Sequence, residues 1–207
     1  MSSALTSTFT TPPDMVLPPY PVRKFTVEDY FKLVDIGLID EDDNCELLEG
    51  WIVPKMGKKP LHDGTIDIVA GVLNEILPGG WFPRVQNVLE TATSAPEPDF
   101  AVARGVRGSF TKRHPQGSDV GLVIEVADST VQIDRRKALI YGAAGVPQYW
   151  IINLPERCVE VYENPQPGSE GIRYAAPRIL RGSDEAELVL DDQHVARISV
   201  AKLLPGG

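Results

Sequence analysis

Residues 120–127 read Val-Gly-Leu-Val-Ile-Glu-Val-Ala, and this stretch decides the architecture. A short, almost continuous apolar run suits a central strand buried on both faces. Its one charge is Glu125. Downstream, helical spacing runs from about Val131 to Ala144 and stops at Gly145. Gln148–Asn153 (QYWIIN) and Cys158–Glu163 then read as strands separated by a turn at Pro155. Upstream, Ile66, Val69, Ala70, Leu73, Ile76 and Leu77 recur at helical spacing within Leu61–Leu77, and Pro78-Gly79-Gly80 ends the run. Phe82–Thr93 and Pro98–Ala103 are expected as two strands joined by a turn at Ala95-Pro96. Cys45–Met56 is expected as one strand kinked at Gly50 and Pro54. Thr26, with Asp29 three residues on, should cap a short helix that ends at Gly37. The C-terminal segment alternates weakly and predicts small strands on one edge, closed by Ser199–Leu204. The sum is one α/β domain, a central mixed β-sheet flanked by helices with extra C-terminal strands.

A chain of 207 residues, 43% of them hydrophobic, can bury a substantial core and is too apolar for a disordered polymer. Residues 1–24 are rich in Ser, Thr and Pro and read as a flexible tail, leaving 25–207 as the domain. No apolar run approaches the roughly 20 residues of a membrane span. The tail lacks a basic cluster and an apolar h-region, which argues against a secretory signal, and the expected location is the cytoplasm. Cys45 and Cys158 are too few for a disulfide framework or a thiolate zinc site.

Net charge is −9, which speaks at first against a nucleic-acid partner, but the distribution is uneven. Glu28–Glu49 holds nine acidic residues against Lys32 alone. Phe100–Ser118 holds Arg104, Arg107, Lys112 and Arg113 and no acid. Such a basic middle can hold phosphate locally. On charge alone it reads as a solvated loop.

Three carboxylates stand where carboxylates are unwelcome: Glu46 in Glu-Leu-Leu-Glu-Gly, Asp99 ahead of Phe-Ala-Val-Ala, and Glu125. One would most simply be a structural salt bridge; three on neighbouring strands repel, and a divalent cation resolves the repulsion. On the following helix Ile133, Lys137, Tyr141 and Ala144 fall on one stripe, so Lys137 faces the apolar side while Arg135 and Arg136 project elsewhere. An inward lysine needs an anion; a snorkelling lysine is the plainer alternative. His62 near a helix start and Ser129-Thr130 before the second helix read as capping or supporting residues. Walker, Rossmann and nucleophile-elbow motifs are missing, as is any histidine spacing for zinc.

In chain order, the sequence carries Glu-Leu-Leu-Glu-Gly-Trp-Ile-Val (46–53), Lys55-Met56, His62, Glu97-Pro98-Asp99, Arg113-His114-Pro115 and Val-Ile-Glu-Val-Ala-Asp-Ser-Thr (123–130). Asp134-Arg135, Lys137, Tyr141, Gly145-Val146-Pro147, Tyr-Trp-Ile-Ile-Asn (149–153) and Leu-Leu-Pro (203–205) complete the series. This ordered set resembles the Uma-two family of bacterial proteins, described as restriction endonucleases within the PD-(D/E)XK nuclease superfamily. The resemblance implies a restriction-endonuclease-like fold and Mg²⁺- or Mn²⁺-dependent cleavage of DNA. By the same resemblance Glu46, Asp99 and Glu125 are metal ligands, with the Val126 carbonyl as a further one. Asp99, Glu125 and Lys137 are catalytic, and His62 and Asp134 support them. Arg104, Arg107, Lys112 and Arg113 are expected to touch phosphates. The superfamily lysine normally follows its second acid by two positions, where this chain has Ala127; Lys137 on the helix takes its place. Gln148 replaces a family glutamate, at a position expected to be structural. A homodimer is left open, as is a non-catalytic nucleic-acid- or protein-binding module of the same fold.

Overall fold

The computed structural model describes residues 20–206, apart from Met56, Lys58 and Glu170. Most of the expected tail therefore lies outside the described residues, as does the Met56 end of the expected 45–56 strand. A six-stranded mixed sheet is the centre of the fold. Its strands in chain order are β3 (Trp81–Val85), β4 (Phe100–Arg104), β5 (Val120–Ala127), β6 (Gln148–Asn153), β7 (Cys158–Glu163) and β10 (Arg178–Arg181), in spatial order β10-β7-β6-β5-β4-β3. Every neighbouring pair is antiparallel except β5–β6, whose parallel pairing is bridged by the helix α3 (Val131–Ala143). All eight residues of β5 are buried, as its composition requires.

Alternation along the strands separates two faces. Leu122, Ile124 and Val126 of β5 join Phe100, Val102, Trp150 and Ile152 in one apolar cluster, covered by Val69 and Leu73 of the helix α2 (Pro60–Ile76). Val123 and Ala127 face the other way, with Ala101, Ala103, Tyr149 and Ile151, toward Ala138 and Tyr141 of α3. The helix α1 (Val27–Asp35) starts with the Thr26–Asp29 capping box read from the sequence, and its Tyr30 packs on Leu47 and Ala95 in a third, small cluster.

Four expectations are corrected. Cys45–Met56 is not one kinked strand but a hairpin of β1 (Cys45–Leu48) and β2 (Trp51–Pro54). Glu49 and Gly50 turn the chain with φ of 50° and 84°, the double left-handed turn that suits strand twist. β3 ends at Val85 rather than Thr93, because Gln86 at φ 51° leaves the extended region; Pro83 is tolerated within it since β3 is an edge strand. The last strands do not all lie on an edge. β10 does extend the sheet, and β8 (Gln166–Gly168) and β9 (Gly171–Arg173) form an exposed hairpin. β11 (Glu185–Leu190) and β12 (Gln193–Ser199), however, form a hairpin that buries Ala186, Leu188, Leu190 and Ile198 on the α2 face. It lies so close that a side chain at Gly121 would collide with Leu190. Gln148 anchors it, donating to the Glu187 carbonyl at 2.8 Å and accepting from the Val189 amide at 3.0 Å, the structural role expected of that position. Finally, Ile133 is 43% exposed. The inward stripe of α3 is Asp134, Lys137, Ala138 and Tyr141, at the three-and-four spacing of a helix face.

Candidate active site

β4 and β5 run antiparallel with Phe100 opposite Ile124, so Asp99 continues the ladder opposite Glu125 on the α3 face. Two carboxylates directly opposed across strands destabilise a sheet unless something answers their charge. Lys137 comes down from α3 to do so. Its Nζ lies 3.1 Å from Glu125 Oε1 and 3.0 Å from Glu46 Oε1. The β1–β2 hairpin delivers Glu46, and the loop between β3 and β4 fixes its other oxygen, with the Glu97 amide donating to Oε2 at 3.0 Å. Glu46, Asp99, Glu125, Asp134 and Lys137 are all at most 8% exposed.

Every oxygen of the three carboxylates is engaged. Glu125 Oε1 also accepts from the Tyr141 hydroxyl at 2.8 Å, and Oε2 from the Asp99 amide at 3.2 Å. Asp99 Oδ2 accepts from the Val126 amide at 2.8 Å and lies 3.2 Å from His62 Nε2, while Gln86 Nε2 donates to Oδ1 at 3.2 Å. Thr130, the residue before α3, makes no side-chain cap; its hydroxyl donates instead to Asp134 Oδ2 at 2.6 Å.

Burial pushes Glu125 up to about 8, opposed by Lys137 and assisted by the charges of Asp134, Asp99 and Glu46. Burial also lifts Asp134 to about 6, against the pull of Lys137 and the Thr130 hydroxyl. For Lys137 burial works against the charge, but Glu125, Glu46 and Asp134 outweigh it and hold the ammonium well above the ordinary lysine range. His62 is raised to about 8, first by its hydrogen bond to Asp99, against the opposing effect of burial. Burial and mutual repulsion thus raise Glu125 and Asp134 above the usual carboxylate range, and one lysine holds the cluster together.

The structure brings together Glu46, Asp99, Glu125 and Lys137, with His62 and Asp134 beside them. Two residues of the basic stretch, Arg104 and Arg107, are held away from them. Arg104 ends β4, five residues from Asp99 or roughly 16 Å along the strand. It stacks over Trp81 at 4.6 Å and pairs with Asp191. Arg107 donates to Asn74 at 3.2 Å, and Arg113 pairs with Asp119 at 2.6 Å. Lys112 is exposed in the same loop. Sequence reasoning missed Gln86, whose left-handed turn carries no local signature. It placed Tyr141 on the inward stripe without giving it a role.

The donors fit a hard divalent cation in kind, being all oxygen. Among the described residues, however, no three His, Cys, Asp or Glu side chains stand in a metal-holding arrangement. Lys137 occupies the position between the carboxylates, and a cation would have to share them with it.

The mixed sheet, its crossover helix and the acid–lysine cluster at one end of β4 and β5 define a restriction-endonuclease-like α/β domain. The fold matches that of a solved structure described as "a putative nuclease belonging to DUF820" from Anabaena variabilis, with a TM-score of 0.65 over 86% of this chain and 97% of that one, at 16% identity. The family model described as "Putative restriction endonuclease" matches residues 27–197, and the chain belongs to that family, Uma2. No curated protein matches it.

Proposed function

We propose that this chain is an endonuclease that hydrolyses phosphodiester bonds of DNA with Mg²⁺ or Mn²⁺. The observation that carries the reading is the meeting of Glu46, Asp99, Glu125 and Lys137 on one face of the sheet. Asp99 and Glu125 would hold the cation, with Glu46 and the Val126 carbonyl. When bound, the cation neutralises a non-bridging phosphate oxygen and lowers the pKa of the attacking water. The chain's own residues do the rest. Lys137 keeps a fixed ammonium beside the carboxylates, where it stabilises the negative charge that develops on phosphorus oxygens. Tyr141 keeps Glu125 oriented, and His62 and Gln86 do the same for Asp99. Because burial raises Glu125 to about 8, a cation held by its carboxylate would bind more tightly as pH rises toward that value.

A second reading, a non-catalytic binding module of the same fold, is favoured by one observation: all six carboxylate oxygens already have partners within the chain. Incubation with supercoiled, single-stranded and branched DNA in Mg²⁺ or Mn²⁺ separates the two. Cleavage by the parent and none by Asp99→Asn supports the nuclease. DNA left intact by the parent under both cations leaves the binding module standing.

A further inference from the structure

Among the described residues Arg84 has no acidic partner. It lies on β3 opposite Ala101, which makes it the diagonal neighbour of Asp99 on the α3 face, roughly 7–8 Å away between backbones. Its Nε is buried and has no hydrogen-bond acceptor among the described residues. Burial depresses its pKa, and no acidic group offsets the effect. The other half-buried arginine on this face behaves differently: Arg135 is clasped at both nitrogens by Glu160, at 2.9 and 2.6 Å. An unsatisfied buried donor destabilises a fold, and one that persists calls for an explanation.

The surroundings of Arg84 supply one. Its guanidinium stands 5.4 Å over the Phe110 ring, and that of Arg113 stands 5.1 Å over the same ring. His114, stacked on Phe31 at 4.9 Å, is shifted down by burial and further by the charge of Arg84, with Glu90 and Glu97 opposing. Arg113 is answered by Asp119. Among the described residues no acid answers Arg84, which stands on the strand next to that of Asp99 with its guanidinium held on an aromatic ring. A planar guanidinium held in this way suits the oxygens of a phosphate.

We infer that Arg84 is a backbone-phosphate contact for a nucleic-acid strand lying across the carboxylate cluster. The ligand class rests on the nuclease reading; the site itself rests on the unbonded Nε and on the absence of an acidic partner among the described residues. Such a contact adds affinity without reading sequence.

The test is binding of a fluorescent duplex without divalent cation, from about 50 to 200 mM salt, so that cleavage plays no part. Arg84→Met keeps the stem that packs on Phe110 and removes the charge. Arg178→Ala, on the opposite edge of the sheet, removes a charge of the same kind and serves as control. Arg84→Met should bind roughly tenfold more weakly at low salt, with a salt slope lower by about one ion. Its melting temperature should be unchanged or higher, because an unsatisfied donor is gone. Arg178→Ala should bind as the parent does. Equal binding and equal slope for parent and Arg84→Met overturns the inference. So does protection of the parent, but not of Arg84→Met, by inorganic phosphate with no duplex binding, which would make this a free-anion site only. A parent that binds through Arg84 yet never cuts removes the nuclease reading alone. A parent that cuts, with Arg84→Met binding duplex as tightly as the parent, removes this inference alone.

Discussion

The two faces of the central sheet are made by the same strands, one residue apart, and they have opposite contents. On the α2 face, Leu122, Ile124, Val126, Trp150 and Ile152 pack against apolar residues of α2 and the β11–β12 hairpin, and the one buried donor they bring, the Trp150 indole N–H, has no acceptor among the described residues. On the α3 face, the alternating positions of those strands include Glu125 of β5 and Glu160 of β7, with Asp99 continuing β4. The first face stabilises by burial, at roughly 25 cal/mol per Å². The second forgoes that gain and holds charges that are tolerable only together. A buried ion pair is weak evidence for stability. The difference between the faces thus points to chemistry on one side of the sheet only.

The comparison breaks most easily through its apolar half. Leu122→Ala opens a cavity beneath α2 and should destabilise by about 2–5 kcal/mol, read from denaturant midpoints, while the folded fraction keeps its cleavage rate. A loss of rate beyond the loss of folded protein would mean that the two faces are not separable. On the other face, Lys137→Ala should lower cleavage by about 10²–10³-fold while cation binding is kept or strengthened, because it removes the ammonium beside the carboxylates. Its melting temperature should fall as well, since Glu46 and Glu125 lose their shared partner, and added cation should recover part of that fall. Parental rates in Lys137→Ala would make the lysine a structural partner only.

Cation binding sharpens the contrast at a smaller scale. At a hundredfold excess over its dissociation constant, Mg²⁺ or Mn²⁺ should stabilise the parent by about 2.7 kcal/mol, since the unfolded chain lacks the cluster. Asp99→Asn should lose most of the shift and stay folded. An equal shift in both proteins would place the ion elsewhere, for instance on the acidic turn Asp40–Asp43.

How much of this was legible follows from the kind of signal each part carries. β5 and α3 were readable because a continuous apolar run and a helical period are local patterns, and Glu125 stood out by contradicting the run. The β1–β2 hairpin was misread because its turn uses Glu49 in a left-handed conformation that the residue type does not announce. The alternation of Ala186, Leu188 and Leu190 was visible, but which surface it covers is decided by the space Gly121 leaves across the sheet. In the site, Asp99 and Glu125 were conspicuous as charges beside apolar runs, and Lys137 was picked out by its place on a helical stripe. Arg84 and Gln86 were not, since polar residues near the end of an edge strand are ordinary, and only the missing or present partner gives them meaning. Ile133 was placed inward by spacing from Lys137, but the stripe turns through Asp134, because α3 buries its polar side against the carboxylates.

The smallest expected effect is the pH dependence of stability, and its sign follows from the α3 face alone. His62 is raised from 6.5 to about 8 by its bond to Asp99, so its contribution is complete below pH 6.5 and is lost as pH rises through 8. Glu125 is raised from 4.5 to about 8, so between those values the unfolded chain ionises while the folded one keeps its proton, and stability again falls with rising pH. The two act in the same direction between pH 6.5 and 8, and no group of the α2-face cluster titrates to oppose them. The share of His62, which is partly screened by solvent, should be on the order of 1 kcal/mol. Asp99→Asn should remove that share and flatten the profile, whereas Leu122→Ala should lower the whole curve without changing its slope. Saturating Mg²⁺ should also flatten it, because the cation replaces the proton on Glu125 and is bound more tightly as that proton leaves. A melting temperature that stays constant from pH 6.5 to 8 in the parent would show that the carboxylates share no proton in the folded state, and that the polar face is a fixed set of ion pairs.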